Sequence, residues 1–142
     1  SRYNAIRSEH ILICAIVSGE VEYGLRVAFP KEPQKQQSVQ QIMSTFPIIL
    51  QISRETAIPY YAQIRANLFN KYAERDKRFA GPKQKFVEQL MEPATCMQLG
   101  IQENDLWIAS VAMQYNLVLV TGDKLMRIRE IMPDLRIENW LE

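Results

Sequence analysis

Two short, uninterrupted runs of apolar residues constrain the fold of this chain more than any other feature. The run ILICAIV covers residues 11–17, and the run LVLVT covers residues 117–121. Neither run alternates apolar with polar residues, so each predicts a strand that is buried on both faces, as in a parallel sheet. Segments with a helical pattern lie beside both runs. The sequence therefore predicts an α/β fold with a mostly parallel sheet.

The other predicted elements continue this alternation along 142 residues, the size of one ordinary domain. Pro33 suits the first position of a helix, and Ser53 and Asn104 are residue types that cap helix N-termini. Further strands are predicted over residues 48–52 and 135–140, the second at a sheet edge. Helices are predicted over residues 1–8, 18–29, 33–46, 54–76, 83–91, 104–115 and 124–132.

Composition excludes several kinds of site and partner. The net charge of +1 gives no bulk attraction to nucleic acid, so any such contact needs a local basic patch. His10 is the only histidine, and Cys14 and Cys96 share no metal-ligand spacing, which excludes sites that need two imidazoles. No apolar run approaches the roughly 20 residues of a membrane span, and neither a secretory signal nor a disulfide is expected. These features predict a cytoplasmic protein without a membrane segment.

Three acidic residues occupy comparable positions relative to the predicted strands. Glu20 and Asp123 each follow a predicted strand, and Asp105 opens a predicted helix. That helix runs roughly 15 Å away from Asp105, and the next strand returns roughly 16 Å. Asp105 and Asp123 should therefore lie at the same end of the sheet. Glu20 should join them there if its strand is parallel to the other.

A cluster of three carboxylates needs a cation, because each negative charge raises the proton affinity of its neighbours. Oxygen ligands of this kind suit Mg²⁺ or Mn²⁺, which activate water and stabilise phosphoryl oxygens in nucleases. Each acid also has an ordinary structural explanation. The helix dipole favours Glu20 and Asp105 in a first helical turn, and Asp123 lies in a common Gly-Asp turn. The residues alone leave both explanations open.

Several segments resemble PIN-domain proteins, particularly the VapC-type toxins of bacterial toxin–antitoxin modules. NDLWIASVAMQYNLVLVTGDK and RIREIMPDLRIENW resemble the C-terminal half of that family, ILICAIVSGEVEYGL its earlier acidic segment, and YYAQIRANL the helix before its third acidic motif. The match covers most of the chain and is most specific over residues 104–123. The resemblance implies a PIN-like three-layer sandwich, in which helices flank a mostly parallel central sheet.

The resemblance also implies an activity and partners. Members of the family are metal-dependent endoribonucleases in which a cluster of acids binds Mg²⁺ or Mn²⁺ and water attacks an RNA phosphodiester. Glu20, Asp105 and Asp123 match all but the first of these acids, and Thr121 matches a hydroxyl residue often found beside the last. Asn104 is a further supporting residue. The expected partners are an RNA substrate, with tRNA as one candidate, a cognate antitoxin protein and a second copy of the chain.

The first acid of the family pattern has no counterpart here. It lies on the family's first strand, in a pattern like Leu-Asp-Thr-Asn, and its spacing to Glu20 places it about 20 residues earlier, upstream of Ser1. We expect that the chain lacks this strand and that a longer protein carries it. The alternative is a catalytically inactive PIN-like module that binds RNA or protein.

Residues 70–98 are predicted to form a basic, partly helical insertion relative to many members of the family. Its basic residues, interleaved with Phe79 and Phe86, suggest an RNA-facing flap, although acidic residues dilute the charge and a solvated surface is the favoured alternative. Arg65 is expected in a structural ion pair more than on RNA. The candidate RNA contacts are Lys77 and Arg78 in the insertion and, elsewhere, Lys124, Arg127 and Arg65.

A phosphate-binding doubly wound domain is a further alternative, suggested by Gly122-Asp123-Lys124. A phosphate cradle needs glycines that lead into a helix N-terminus. Asp123 would repel a phosphate in the absence of a cation. We therefore favour the nuclease, with Lys124 as a phosphate contact at the rim of its cleft.

Overall fold

The computed structural model describes residues 10–122 and 125–141. The chain divides into two compact units between Ile52 and Ser53. The helix predicted for residues 1–8 lies outside the described residues, as do Asp123 and Lys124. That the whole chain forms one domain stays a prediction.

The first unit pairs two helices with two very short strands. Its elements in chain order are strand β1 (Ile13–Cys14), helix α1 (Ala15–Ala28), helix α2 (Pro33–Ser44) and strand β2 (Ile49–Leu50). The two strands are parallel, with Ile13 opposite Ile49. Pro33 occupies the start of α2 as predicted, where its missing N–H costs no hydrogen bond. Among the described residues of this unit, only Cys14 and Leu25 are buried.

The prediction of a strand over residues 11–17 is wrong beyond Cys14. Helix α1 begins at Ala15, three residues before the predicted start at Ser18. The Ser18 hydroxyl donates to the Cys14 carbonyl one turn earlier, at 3.4 Å, so Ser18 lies inside the helix and does not cap it. A short apolar run suits a buried strand and a helix equally, which explains the error.

The described part of the second unit contains more elements than that of the first. They are helix α3 (Arg54–Thr56), a π-helical turn (Ala57–Tyr61), helix α4 (Ala62–Tyr72), a 3₁₀ turn (Val87–Gln89), helix α5 (Glu103–Gln114), strand β3 (Val118–Val120), helix α6 (Met126–Ile131) and strand β4 (Arg136–Glu138). Strands β3 and β4 are parallel, with Leu119 opposite Ile137. The three-layer sandwich itself stays a prediction, because the described strands form only two short parallel pairs.

The helix predicted over residues 54–76 is present but interrupted and shorter. Ser53 precedes it as predicted, and the π-helical turn surrounds Pro59, whose ring removes one backbone donor from the ladder. The helix ends at Tyr72 because Ala73 is extended and the backbone N–H of Glu74 bonds to the Gln84 side chain at 2.9 Å.

The helix predicted over residues 83–91 is wrong except for the single 3₁₀ turn Val87–Gln89. The Gln89 side chain accepts the backbone N–H groups of Lys85 and Phe86, at 3.0 and 3.1 Å, which fixes the backbone before the turn. The region 70–98 is therefore mainly loop, joined by the isolated antiparallel bridges Arg75–Pro82 and Met91–Gln98.

One apolar cluster holds the second unit together. It joins α4, α5 and α6 to the loop that carries the 3₁₀ turn, so these elements share a core. Burial of each large aliphatic side chain contributes about 1.5–3 kcal/mol. No helix in the described part of the chain is long and apolar enough to cross a bilayer. The cluster consists of Ile64, Leu68, Tyr72, Val87, Leu90, Ile101, Leu106, Ala109, Ala112, Leu125, Ile128 and Leu135.

Candidate functional site

Asp105 lies in the first turn of α5, where its carboxylate has a defined backbone partner. The N–H of Gln102, the residue that caps the helix, donates to Asp105 Oδ2 at 2.8 Å. A helix N-terminus leaves backbone N–H groups without intrahelical partners, and this bond satisfies one of them. A carboxylate has about four acceptor sites. The bond to Gln102 therefore orients Asp105 and is compatible with a metal on the same group.

The prediction of Asn104 as the helix cap is wrong. Gln102 has the extended backbone of a cap, and Asn104 is the second residue of α5. Ile101 and Leu106 are both buried in the same cluster, with the spacing of a hydrophobic staple. This pair fixes the entry of the chain into the helix two residues earlier than a cap at Asn104 would. Asn104 nevertheless shares the half-buried first turn with Asp105.

Glu103, which the sequence did not single out, anchors the same turn from the other side. Arg65 Nη1 lies 2.5 Å from Glu103 Oε2, and the Tyr61 hydroxyl donates to Glu103 Oε1. Tyr61 stacks on Trp107 with ring centroids 3.7 Å apart. These contacts attach the start of α5 to α4 and to the π-helical turn beside it.

The charge of Glu103 is balanced locally. Burial raises the pKa of Tyr61, and its hydrogen bond to Glu103 raises that pKa further, so the phenol stays protonated and donates. Arg65 supplies the compensating positive charge. Glu103 is therefore engaged by Tyr61 and Arg65, whereas the role of Asp105 as a metal ligand stays a prediction.

Arg65 occupies the ion pair that the sequence favoured over an RNA contact. Besides Glu103, it donates from Nη2 to the backbone carbonyl of Lys85 at 2.9 Å. The backbone N–H of Glu103 donates in turn to Glu88 Oε1 at 2.8 Å. The segment from Lys85 to Glu88 is thus bonded directly to the first turn of α5.

Glu20 lies on the exposed part of α1. It does not directly follow a strand as predicted, because the helix begins at Ala15. Glu22, two residues later, pairs with Arg26 at 3.0 Å and accepts the Gln40 amide at 3.0 Å. Glu20 belongs to the first unit and Asp105 to the second, so a metal shared by the two residues stays a prediction.

Thr121 extends the pairing of β3 with β4. Its backbone N–H donates to the carbonyl of Glu138 at 3.1 Å, and the residue is half-buried. Asp123 and Lys124 lie outside the described residues, so their predicted places beside Asp105 stay predictions. Within the described ranges, no three His, Cys, Asp or Glu side chains lie together in a way that could hold a metal ion.

Arg127 is engaged by carboxylates. Its guanidinium lies 2.5 Å from Glu92 and 3.6 Å from Glu130. The hydrogen bond with Tyr72 raises the pKa of Arg127, and the two carboxylates add to that rise. An RNA phosphate would have to compete with these partners. By contrast, Lys77 and Arg78 are exposed, and neither takes part in an ion pair with another described residue.

Comparisons with known proteins find structural relatives only. No protein-family model matches the chain, and no curated protein matches its sequence significantly. A crystal structure of VapBC2 from Rickettsia felis, bound to a DNA fragment from the promoter, superposes with a TM-score of 0.61 and 29% identity, over 92% of this chain and 74% of the other. A structure of VapBC-1 from nontypeable Haemophilus influenzae gives a TM-score of 0.58 and 19% identity, over 99% and 83%. These structures confirm the resemblance identified from the sequence.

Proposed function

We propose that this chain, a VapC-type PIN-domain protein by its likeness to the VapBC structures, is a metal-dependent endoribonuclease that hydrolyses RNA phosphodiester bonds. It would act as the toxin of a type II toxin–antitoxin pair. The position of Asp105 carries the proposal. That carboxylate is oriented by the cap of α5, on a helix anchored in the core.

Glu20, Asp105 and Asp123 would hold the ion, since carboxylate oxygens are the ligands that Mg²⁺ and Mn²⁺ prefer. When bound, such an ion lowers the pKa of water and offsets charge on phosphoryl oxygens. Asp105 would keep one oxygen on the Gln102 N–H and present the carboxylate to the cation. Thr121 and Asn104 would support the acids from the end of β3 and the first turn of α5.

The proposed partners follow from the structural likeness. Both similar structures are VapBC complexes, and the one from Rickettsia felis is bound to promoter DNA. We infer that this chain pairs with an antitoxin protein, forms a homodimer and cleaves RNA, with tRNA as a candidate. Lys124 would contact a phosphate beside Asp123.

The experiment is RNA cleavage by the full-length protein with Mg²⁺ or Mn²⁺, compared with its Asp105→Asn variant. Asparagine keeps an oxygen that can accept the Gln102 N–H, so the substitution removes the charge and preserves the cap. Loss of a supporting residue around a metal costs about 10–100-fold in affinity or activity. Loss of a direct ligand should exceed that range.

Asp134→Asn is the matched control, because Asp134 is an exposed residue of the same unit outside the proposed site. It should cleave RNA at the wild-type rate. Equal cleavage by the wild type and Asp105→Asn would remove Asp105 from the metal site. Absence of cleavage by the full-length wild type would favour the alternative, a catalytically inactive PIN-like module that binds RNA or protein.

A further inference from the structure

The segment 74–86, called here the basic loop, is held by hydrogen bonds between its own backbone groups. Arg75 and Pro82 form an antiparallel bridge. Within it, the N–H of Asp76 donates to the Gly81 carbonyl at 3.0 Å, and the N–H of Lys83 donates to the Glu74 carbonyl at 2.7 Å. These bonds fold the basic loop back on itself and leave residues 77–80 as its tip.

Phe79 is exposed at this tip. Its relative exposure is 73%, although the loop backbone that carries it is ordered by hydrogen bonds. A ring carried on an ordered backbone can stack on a partner with little further loss of loop freedom. Lys77 and Arg78 precede it directly and are also exposed. The tip therefore presents one aromatic face beside two cations.

Charge in this part of the chain favours a polyanionic partner. The basic loop, residues 74–86, contains five basic and two acidic side chains, a net charge of +3, which leaves −2 for the rest of a chain whose total is +1. Glu74 is paired with Lys83 at 3.3 Å. No carboxylate in the described part of the chain forms an ion pair with Lys77, Arg78 or Lys85. An acidic protein would also meet this charge, but a flat base is the surface that an exposed ring stacks on.

The basic loop is connected to the helix that carries Asp105. At its base, the Lys85 carbonyl accepts from Arg65, which is paired with Glu103 in the first turn of α5. An open groove of about 520 Å³ lies along this base, and its lining includes Tyr61 on the π-helical turn, Phe69 on α4 and Lys85 on the loop. The groove thus lies beside Arg65, the residue that pairs with Glu103 in the first turn of α5.

We propose that the basic loop is a binding element for single-stranded RNA, in which Phe79 stacks on an unpaired base and Lys77 and Arg78 contact the adjacent phosphates. The proposal rests on the function proposed above, because it takes RNA as the substrate. It adds a requirement: the nucleotides next to the cleavage site must be unpaired. A duplex hides the faces of its bases and cannot stack on Phe79.

The experiment is binding of a short, unstructured, labelled RNA to the full-length protein in a buffer with a chelator, so that cleavage is not needed. Phe79→Ala should weaken binding about 5- to 150-fold, the range for one stacked base, and Phe79→Trp should restore it. Tyr115→Ala is the matched control, since Tyr115 is 45% exposed and lies at the opposite end of α5. The same RNA annealed to its complement should bind the wild type and Phe79→Ala equally.

The charges are tested by salt dependence. The double variant Lys77→Gln/Arg78→Gln should lower the slope of log affinity against log salt by about 1.4, or about 0.7 for each lost phosphate contact. The proposal would be overturned if Phe79→Ala left the affinity for single-stranded RNA unchanged. It would also be overturned if Phe79→Ala lowered the affinities for single strand and duplex equally. Weakened antitoxin binding without a change in RNA binding would assign the loop to the protein partner instead. The two proposals can fail separately. If the wild type binds RNA without cleaving it and Phe79→Ala weakens that binding, the nuclease is rejected and the role of the basic loop is retained.

Discussion

The two units of the chain differ in how much apolar surface they bury. In the described part of the first unit only Cys14 and Leu25 are buried, whereas the second unit has twelve residues in one buried cluster. The described part of the first unit, residues 10–52, therefore buries too few side chains to form a core of its own. The second unit has a core that extends from α4 to β4.

This difference bears on the candidate site. Asp105 follows the buried Ile101 and precedes the fully buried Leu106, so its backbone is held by the core. Glu20 lies on an exposed stretch of α1. Precise placement of metal ligands requires rigid support. Asp105 therefore has the rigid support that a metal ligand needs, whereas the part of Glu20 in the same metal site stays a prediction.

The largest expected effect is a contrast between two isoleucines. Ile64 on α4 is fully buried, and Ile42 on α2 is 57% exposed. Ile64→Ala should lower the free energy of unfolding by about 2–5 kcal/mol, whereas Ile42→Ala should change it by less than about 0.5 kcal/mol. Urea denaturation measures both. Similar losses for the two variants would mean that the first unit also has a tightly packed core around α2.

A smaller effect is expected for the ion pair that anchors α5. Arg65 and Glu103 are each about one-third exposed, at 31% and 37% of their side-chain areas, so solvent screens their attraction. A double-mutant cycle with Arg65→Met and Glu103→Gln should give a coupling energy of about 0.5–1 kcal/mol. The pair Arg26–Glu22 in the first unit, where Arg26 is 71% exposed, should show a weaker coupling. A coupling at Arg65 no larger than that at Arg26 would contradict an anchoring role.

The sequence predicted the types and order of most elements but not how far each extends. The apolar runs marked β1 and β3, and Pro33 marked the start of α2. Some boundaries were missed because a short apolar run suits a strand and a helix equally, as at residues 11–17. Others depend on side-chain hydrogen bonds, such as the bond from the N–H of Lys85 to the Gln89 side chain. Side chains make such bonds only in the folded backbone, so periodicity alone does not reveal them.

For the candidate site, the sequence singled out Asp105, whose role as a metal ligand stays a prediction, but it missed the contacts of Glu103. Two features pointed to Asp105: its position in the first turn of a predicted helix and the resemblance to the family. Both depend only on residues close to Asp105 in the sequence. The role of Glu103 depends on Arg65, 38 residues away, which tertiary packing brings to it. One signal was available: Tyr61 and Arg65 are one turn apart on a predicted helix, a spacing that lets two polar side chains meet the same acid.

Alkaline titration should report on the second unit. Burial first, and then the bond to Glu103, raises the pKa of Tyr61 above its ordinary value of 10.0. The folded state thus holds this proton more tightly than the unfolded state does. The stability that Tyr61 contributes is complete below pH 10.0 and decreases as the pH rises above it towards the folded-state pKa.

Urea midpoints measured across this range should fall less steeply for Tyr61→Phe than for the wild type. Tyr23→Phe, a control in the first unit where Tyr23 is 70% exposed, should keep the wild-type slope. Equal slopes in all three proteins would mean that Tyr61 is not buried against Glu103.

The smallest expected effect tests the packing of the first unit. The amide of Gln40 on α2 lowers the pKa of Glu22 on α1 below its ordinary 4.5, and Arg26 lowers it further. The stability from this contact is present above pH 4.5 and is lost as the pH falls through the folded-state pKa. NMR titration of the Glu22 carboxylate should show its pKa move back towards 4.5 in Gln40→Ala. Gln37→Ala, an exposed neighbour on the same helix, should leave that pKa in place. If Gln40→Ala leaves the pKa of Glu22 unchanged, α1 and α2 do not contact each other through this pair. The described part of the first unit would then be held mainly by its two buried residues, Cys14 and Leu25.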